Sequence, residues 1–406
     1  MKKKYEKPSY SPAVKIALIA VLAVLIAALV FVIVLQARQA KLERGELAPA
    51  QSTEPQTDAA AEEEAAAAQA AEEQRAEEAE RAEAERAKRA EEAKKYSFYQ
   101  KLEHGYDTDI LILGDSTAAD ADFSALSEHL QSKYLSASGS AVNVNNLANA
   151  DGNLLCDVLR VNEMPDKPDY DLAILCYGQN DSGNNVTQDF ESLIVALKSR
   201  FPDCSIICTI EPGFHSITTE LQSMTDVCSA HHVPVINLFS EFYDKGADSY
   251  FDYFDSSQTS LGEKGIDEWN TLLCALIDEN VARSTGKMDD TPLISRKSEE
   301  MAKLRFIPID DVRVSRTDDT SYSLDFKAKG ASYILHKQDV GGSDVKVIAD
   351  DILYQFGKPC GIKAPDGSYI IPIYEELSCE KDFTITFSSK ELADGLEGFY
   401  LIESTD

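Results

Sequence analysis

The sequence has 406 residues, with 39 Lys and Arg against 70 Asp and Glu, a net charge of −31. That length predicts two or three domains at roughly 100–200 residues each. The acidity excludes a nucleic-acid binder, which needs a basic face to displace counterions from phosphates.

Chain order begins with a polar stretch, residues 1–15, containing Lys2, Lys3, Lys4, Lys7 and Lys15. An uncharged apolar run follows from Ile16 to Leu35. As a helix it is long enough to cross a hydrocarbon layer of about 30 Å. A cleaved signal peptide would have a shorter apolar region, and Ala37-Arg38-Gln39 is a poor cleavage site. Residues 16–36 therefore read as a single transmembrane anchor in the cell membrane. The lysines place the N-terminus in the cytoplasm and the C-terminal bulk outside. Residues 37–106 read as a linker and a tether. Ala59 to Lys95 is almost wholly Ala, Glu, Arg and Lys, which favour helix. Glu77–Arg81, Glu85–Arg89 and Glu91–Lys95 are i,i+4 pairs in the favourable order. A coiled coil needs larger apolar residues than alanine at its seam, so a lone charged helix is the expectation.

From residue 107 the pattern alternates strand and helix. Strands are expected at Ile110–Leu113, Ala141–Leu147, Leu172–Tyr177, Ser205–Ile210 and Val233–Leu238. Helices are expected near 118–136, 187–200, 217–231 and 263–282. Such alternation argues for a parallel sheet covered on both faces, with ligands at the carboxyl ends of the strands. Cys176 and Cys208 fall inside apolar strands and should be buried thiols. The chain has eight cysteines but no Cys-x-x-Cys, which argues against a zinc ribbon or a thioredoxin-like redox site. Cys360 and Cys379 could bridge within the C-terminal region.

Three polar clusters fall at strand ends: Gly114-Asp115-Ser116, Gly178-Gln179-Asn180-Asp181 and Glu211-Pro212-Gly213-Phe214-His215. Ser116, after a strand and before a helix, is the candidate nucleophile, with its own N–H placed to hold an oxyanion. The Asn180 amide could face the same oxyanion. Gly152 would let backbone approach a substrate closely.

These residues resemble the SGNH/GDSL hydrolase family. Leu113-Gly114-Asp115-Ser116 is similar to its first block, Gly152 to its second and Gly178-Gln179-Asn180-Asp181 to its third. The resemblance spans residues 107–282. It implies a flavodoxin-like three-layer α/β domain with a five-stranded parallel sheet, esterase or acetylesterase chemistry, and neither metal nor cofactor. By family role Ser116 is the nucleophile. Gly152, Asn180 and the Ser116 N–H form the oxyanion hole, with Asp115, Gly178 and Asp181 in support.

The family's closing Asp-x-x-His block departs from the pattern. Counting back from Gly265 puts Ser260 at the His position and Ser257 at the Asp position. Gly262 instead gives Ser257 and Phe254, and anchoring on Asp255 gives Gln258. No register supplies a histidine. A serine hydroxyl without a base is a weak nucleophile, and losing the base costs about 10⁴–10⁶ in turnover. His215, after the fourth strand, is the substitute base to consider. Glu211 is similarly placed but would need a raised pKa. His231 and His232 precede the fifth strand, at the opposite edge, and read as solvated.

Residues 283–301 read as a linker. From Arg305 the period is two, with about seven short strands, and 302–406 reads as a small β-sandwich-like domain. Two functions are compatible with this reading. One is a membrane-anchored, extracytoplasmic ester hydrolase acting on O-acetyl groups of envelope glycans through a non-standard base. The other is a surface binding or scaffold protein that keeps the cleft without turnover. Residues 96–280 hold 30 acidic against 8 basic residues. That charge favours an ester or glycan ligand of neutral or cationic character.

Overall fold

The computed structural model describes residues 58–150, 152–165, 168–178, 186–211, 219–256, 260–283, 296–340, 344–349, 352–355, 362–364, 366–374 and 381–403. The apolar run 16–36 and the cysteines Cys360 and Cys379 lie outside them. Among the described residues no helix is long and apolar enough to cross a membrane. The chain divides into two compact units, Met1–Arg81 and Ala82–Asp406.

Helix α1 (Asp58–Ala93) is the alanine- and glutamate-rich segment. In the first unit Glu77 and Arg81 pair at 2.9 Å on an exposed face. Such a pair contributes only a few tenths of a kcal/mol, about 0.2–0.5. Within the second unit two expected pairs are replaced. Glu91 pairs with Lys94, at 2.5 Å, one residue short of Lys95. Arg89 turns away from the helix and donates to the carbonyls of Gly105 (2.7 Å) and Ser138 (3.2 Å). Its guanidinium also lies 5.3 Å from the centre of the Tyr106 ring. Ala93 is buried, so the last turns of α1 are seated on the domain that follows.

That domain begins with α2 (Phe98–His104), opened by a Ser97–Gln100 capping box. Strand β1 (Thr108–Gly114) leads to a short α3 (Ser116–Asp120) and then α4 (Ser124–Leu130), which continues as a wider π turn to Leu135. One helix over 118–136 was expected. The chain extends at Ala121, and the Asp122 carboxylate accepts from the Ser124 N–H to restart it. Next come β2 (Val142–Asn146), α5 (Leu154–Glu163), β3 (Leu172–Tyr177), α6 (Val186–Arg200) and β4 (Ser205–Ile210). The domain closes with α7 (Thr219–Ala230), β5 (Val235–Asn237), α8 (Leu238–Asp244), a 3₁₀ turn (Ala247–Tyr253) and α9 (Glu263–Ala282).

All five strands are parallel, in the order β2-β1-β3-β4-β5. This is the doubly wound order whose switch point lies between β1 and β3. Leu111, Leu113, Ala173, Leu175, Ile206 and Cys208 face α5, α6 and α7. Ile110, Ile112, Leu172, Ile174, Cys176 and Ile207 face the helices of the other layer, including Trp269 of α9. A sheet buried on both faces explains why β3 and β4 read as unbroken apolar runs. Cys176 and Cys208 are both fully buried.

After α10 (Arg296–Met301) come two antiparallel sheets. Their strands are β6 (Arg305–Pro308), β7 (Val314–Arg316), β8 (Ser321–Leu324), β9 (Ala328–His336) and β10 (Val345–Ala349). The series ends with β11 (Ile352–Gln355), β12 (Ile362–Lys363), β13 (Tyr369–Tyr374), β14 (Phe383–Phe387) and β15 (Leu396–Glu403), where seven strands were expected. The orders are β11-β10-β14-β8-β7 and β12-β13-β9-β15-β6. Ile334, Ile371 and Phe399 face the core between the sheets, where Val347 and Ile385 meet them. Their neighbours Tyr333, Ile370 and Tyr400 point the other way, into the apolar cluster that includes α5 and α6. The sandwich is thus packed against the α/β domain. Asn162 donates to the Met301 carbonyl (3.0 Å), and the Phe306 N–H donates to Glu163 (2.9 Å).

Candidate active site

The carboxyl edge of the sheet is built from three chain segments that permit no side chain at their glycines. A Cβ on Gly114 would stand 2.4 Å from the Cys176 carbonyl oxygen. One on Gly152 would stand 2.8 Å from the Asn149 carbonyl oxygen and 2.9 Å from that of Gly114. Gly178 has φ +142, a backbone few side chains adopt, and a Cβ there would press on Leu221. Two backbone bonds tie the segments together. The Asn149 N–H donates to Gly114 (3.0 Å), and the Asp115 N–H donates to Cys176 (3.2 Å). Gly114-Asp115-Ser116, Gly152 and Gly178 therefore meet at the switch point between β1 and β3. Ser116 is partly exposed and is the first residue of α3.

The Gly152 N–H donates to the Asn149 carbonyl at 2.7 Å. Any oxyanion bound there would have to share that proton. Asn180 and Asp181 lie outside the described residues, as does His215.

Beneath Ser116 lies a buried acid cluster. Asp115 and Glu211 are both fully buried. Glu211 follows β4, and its two oxygens accept from the Thr117 hydroxyl (2.9 Å) and the Cys176 thiol (3.2 Å). Burial and then the Asp115 carboxylate hold the Glu211 carboxyl well above the usual range. Glu211 has the raised pKa that a carboxylate base requires, but its oxygens are engaged by Thr117 of α3 and by Cys176. It is a support for the strand ends rather than a base for Ser116. On the other side Asp157, in the first turn of α5, accepts from the Tyr177 hydroxyl at 2.5 Å and pairs with Arg160 at 3.1 Å. Burial pushes its carboxyl up to about 6, against the pull of Arg160 and Tyr177.

Thr117, Asp157 and Tyr177 escaped sequence reasoning. Tyr177 precedes Gly178 directly, but nothing in the spacing pairs it with a carboxylate on a different helix.

The closing segment is described at both ends. Phe254 and Leu261 form an antiparallel bridge, and the Asp255 N–H donates to the Ser260 carbonyl (3.0 Å). Gly265 lies in the first turn of α9, where a Cβ would stand 2.2 Å from the Tyr253 carbonyl oxygen. Ser260 lies at the end of this segment, five residues before Gly265. Ser257 and Gln258 lie outside the described residues. No described histidine falls at this edge. His129 bonds Asp278 (3.0 Å), and His336 is buried in the sandwich. His231 was expected to be solvated, but it is fully buried, 3.1 Å from Glu191, while His232 is exposed. Among the described residues no His, Cys, Asp and Glu group could hold a metal ion.

Solved structures share this architecture. A two-domain esterase active on acetylated mannans aligns over 75% of this chain and 91% of its own, at a TM-score of 0.55 and 12% identity. The fold is that of the SGNH/GDSL hydrolases. The alignment to the mannan esterase is too long to be confined to the SGNH-type domain. The chain is also similar to a lipase/acylhydrolase from Enterococcus faecalis, at 18% identity and a TM-score of 0.35. That match covers 45% of this chain and all of the other. A putative GDSL-like lipase from Parabacteroides merdae matches at 12% identity and a TM-score of 0.36, over 44% of this chain and 96% of its own. No protein-family model and no curated protein sequence matches the chain.

Proposed function

We propose that this protein is an SGNH-type ester hydrolase of the cell surface, directed at O-acetyl groups on envelope glycans. The observation that carries the reading is the meeting of Gly114-Asp115-Ser116, Gly152 and Gly178 at the switch point of the sheet, with Ser116 partly exposed. The solved two-domain neighbour is an esterase active on acetylated mannans, which supports the acetyl-glycan direction. Ser116 attacks the ester carbonyl. Its own N–H, with Gly152 and Asn180, receives the oxyanion, and a base outside the family's closing block, His215 being the candidate, takes the hydroxyl proton. The apolar run 16–36 anchors the chain in the membrane, with the cleft on the extracytoplasmic side.

A second reading is favoured by Ser260. With a serine where the family keeps its base, the cleft holds an acetylated glycan without efficient turnover, and the protein is a surface binder. Acetate release from acetylated glycan by the purified protein separates the two. The hydrolase predicts release that falls at least 10³-fold in Ser116→Ala. Release that survives Ser116→Ala removes the mechanism. Binding of the glycan with no release selects the binder.

A further inference from the structure

The flank of the α/β domain beyond β5 carries an aromatic cluster with no part in the chemistry above. Phe239 and Tyr243 stack at 5.7 Å on α8. Tyr250 of the 3₁₀ turn meets both, and it meets Phe251 (5.4 Å) and Phe254 (5.2 Å), the residue that ends the turn. Most of this cluster is core, but Tyr243 is 52% exposed and Phe251 42%. The exposed rings stand among the exposed carboxylates Glu241, Asp244, Asp248 and Asp252. The nearby Lys245 is held by Glu268. A second lysine shows what this chemistry accepts. The Lys264 ammonium sits 4.3 Å above the Tyr253 ring and 3.6 Å from Asp252. A ring face with a carboxylate beside it is thus already a seat for an ammonium on this flank.

We propose that Tyr243 and Phe251 form a binding platform for an amine-bearing glycan, that is, a polymer of hexosamine rings with free ammonium groups. The rings offer faces for sugar stacking and for cation–π contact, and the carboxylates select positive charge. The platform begins after β5, three strand spacings or roughly 14 Å from β1. A chain of several sugars, not a single ring, spans platform and cleft. The proposal deepens the glycan-directed reading above and rests on it.

The test is calorimetric titration of the full chain with glucosamine hexamer and N-acetylglucosamine hexamer, under mildly acidic conditions that keep the amines protonated. The glucosamine hexamer should bind at least tenfold more tightly than the acetylated one. Its affinity should fall as salt rises from about 0.05 to 0.5 M. Tyr243→Ala and Phe251→Ala should each weaken it about fivefold. Tyr243→Phe should hold the affinity. Equal affinity for the two hexamers, or indifference to both alanine variants, overturns the platform. So does a lysine hexapeptide that binds as tightly with the same Tyr243 dependence, since the partner is then a basic peptide. Absence of acetate release with platform binding intact removes only the hydrolase. Acetate release with no Tyr243 or Phe251 effect on binding removes only the platform.

Discussion

Asp157 is 1% exposed and lies between Tyr177 and Arg160 in the first turn of α5. Its carboxyl is raised from 3.8 to about 6, so the folded protein holds its proton where the unfolded chain has lost it. The stabilising share of Asp157 is fully present below the unfolded value and is lost as pH rises through about 6. The change over that window is on the order of 3 kcal/mol. Asp157→Asn cannot ionise but can still accept from Tyr177. Urea melts across this range should show the variant gaining on the wild type as pH rises from about 4 to 7. A difference that stays constant with pH would mean that Asp157 keeps its charge in the fold. Glu211 acts in the same direction, since burial and Asp115 raise it too. The ends of the strands beneath Ser116 therefore favour acid conditions, although the protein as a whole is strongly acidic.

Helix α9 shows one residue type obeying opposite rules in one element. Replacing a glycine inside a helix by alanine ordinarily gains about 0.5–1 kcal/mol. At Gly265 the added methyl would lie 2.2 Å from the Tyr253 carbonyl oxygen, which is backbone and cannot swing aside. Overpacking of this kind costs about 1–3 kcal/mol and outweighs the helix gain. Gly265→Ala should lower the urea midpoint, and a raised midpoint would show that the 3₁₀ turn yields easily. Long apolar elements were legible in the sequence: β3, β4 and α9 fall within the residues their periodicity marks. Helix α5 was not, because the buried Asp157 and Asn162 interrupt its apolar stripe. Those two side chains are held by Tyr177 and by the Met301 carbonyl, partners that local spacing does not reveal. Among site residues, Gly114, Gly152 and Gly178 could be read because they stand in short blocks at the ends of strands, although the close contacts that exclude a side chain come from other segments. The Asp115–Glu211 cluster could not, since it joins the ends of two strands far apart in sequence.

At the scale of the molecule the β-sandwich shares an apolar cluster with α5 and α6 through Tyr333, Ile370 and Met301. Calorimetry should therefore record one unfolding transition for the α/β domain and the sandwich. Tyr333→Asp, which puts a charge into that cluster, should split it into two. Two transitions in the wild type would show that the domains are independent. The other docking contact is the Arg89 clamp. Gly105 and Ser138 precede β1 and β2, so Arg89 grips the sheet at the edge opposite Ser116. The final turns of α1 are thus a handle fixed to the back of the domain. Torque applied to that handle turns the mouth of the cleft through the same angle.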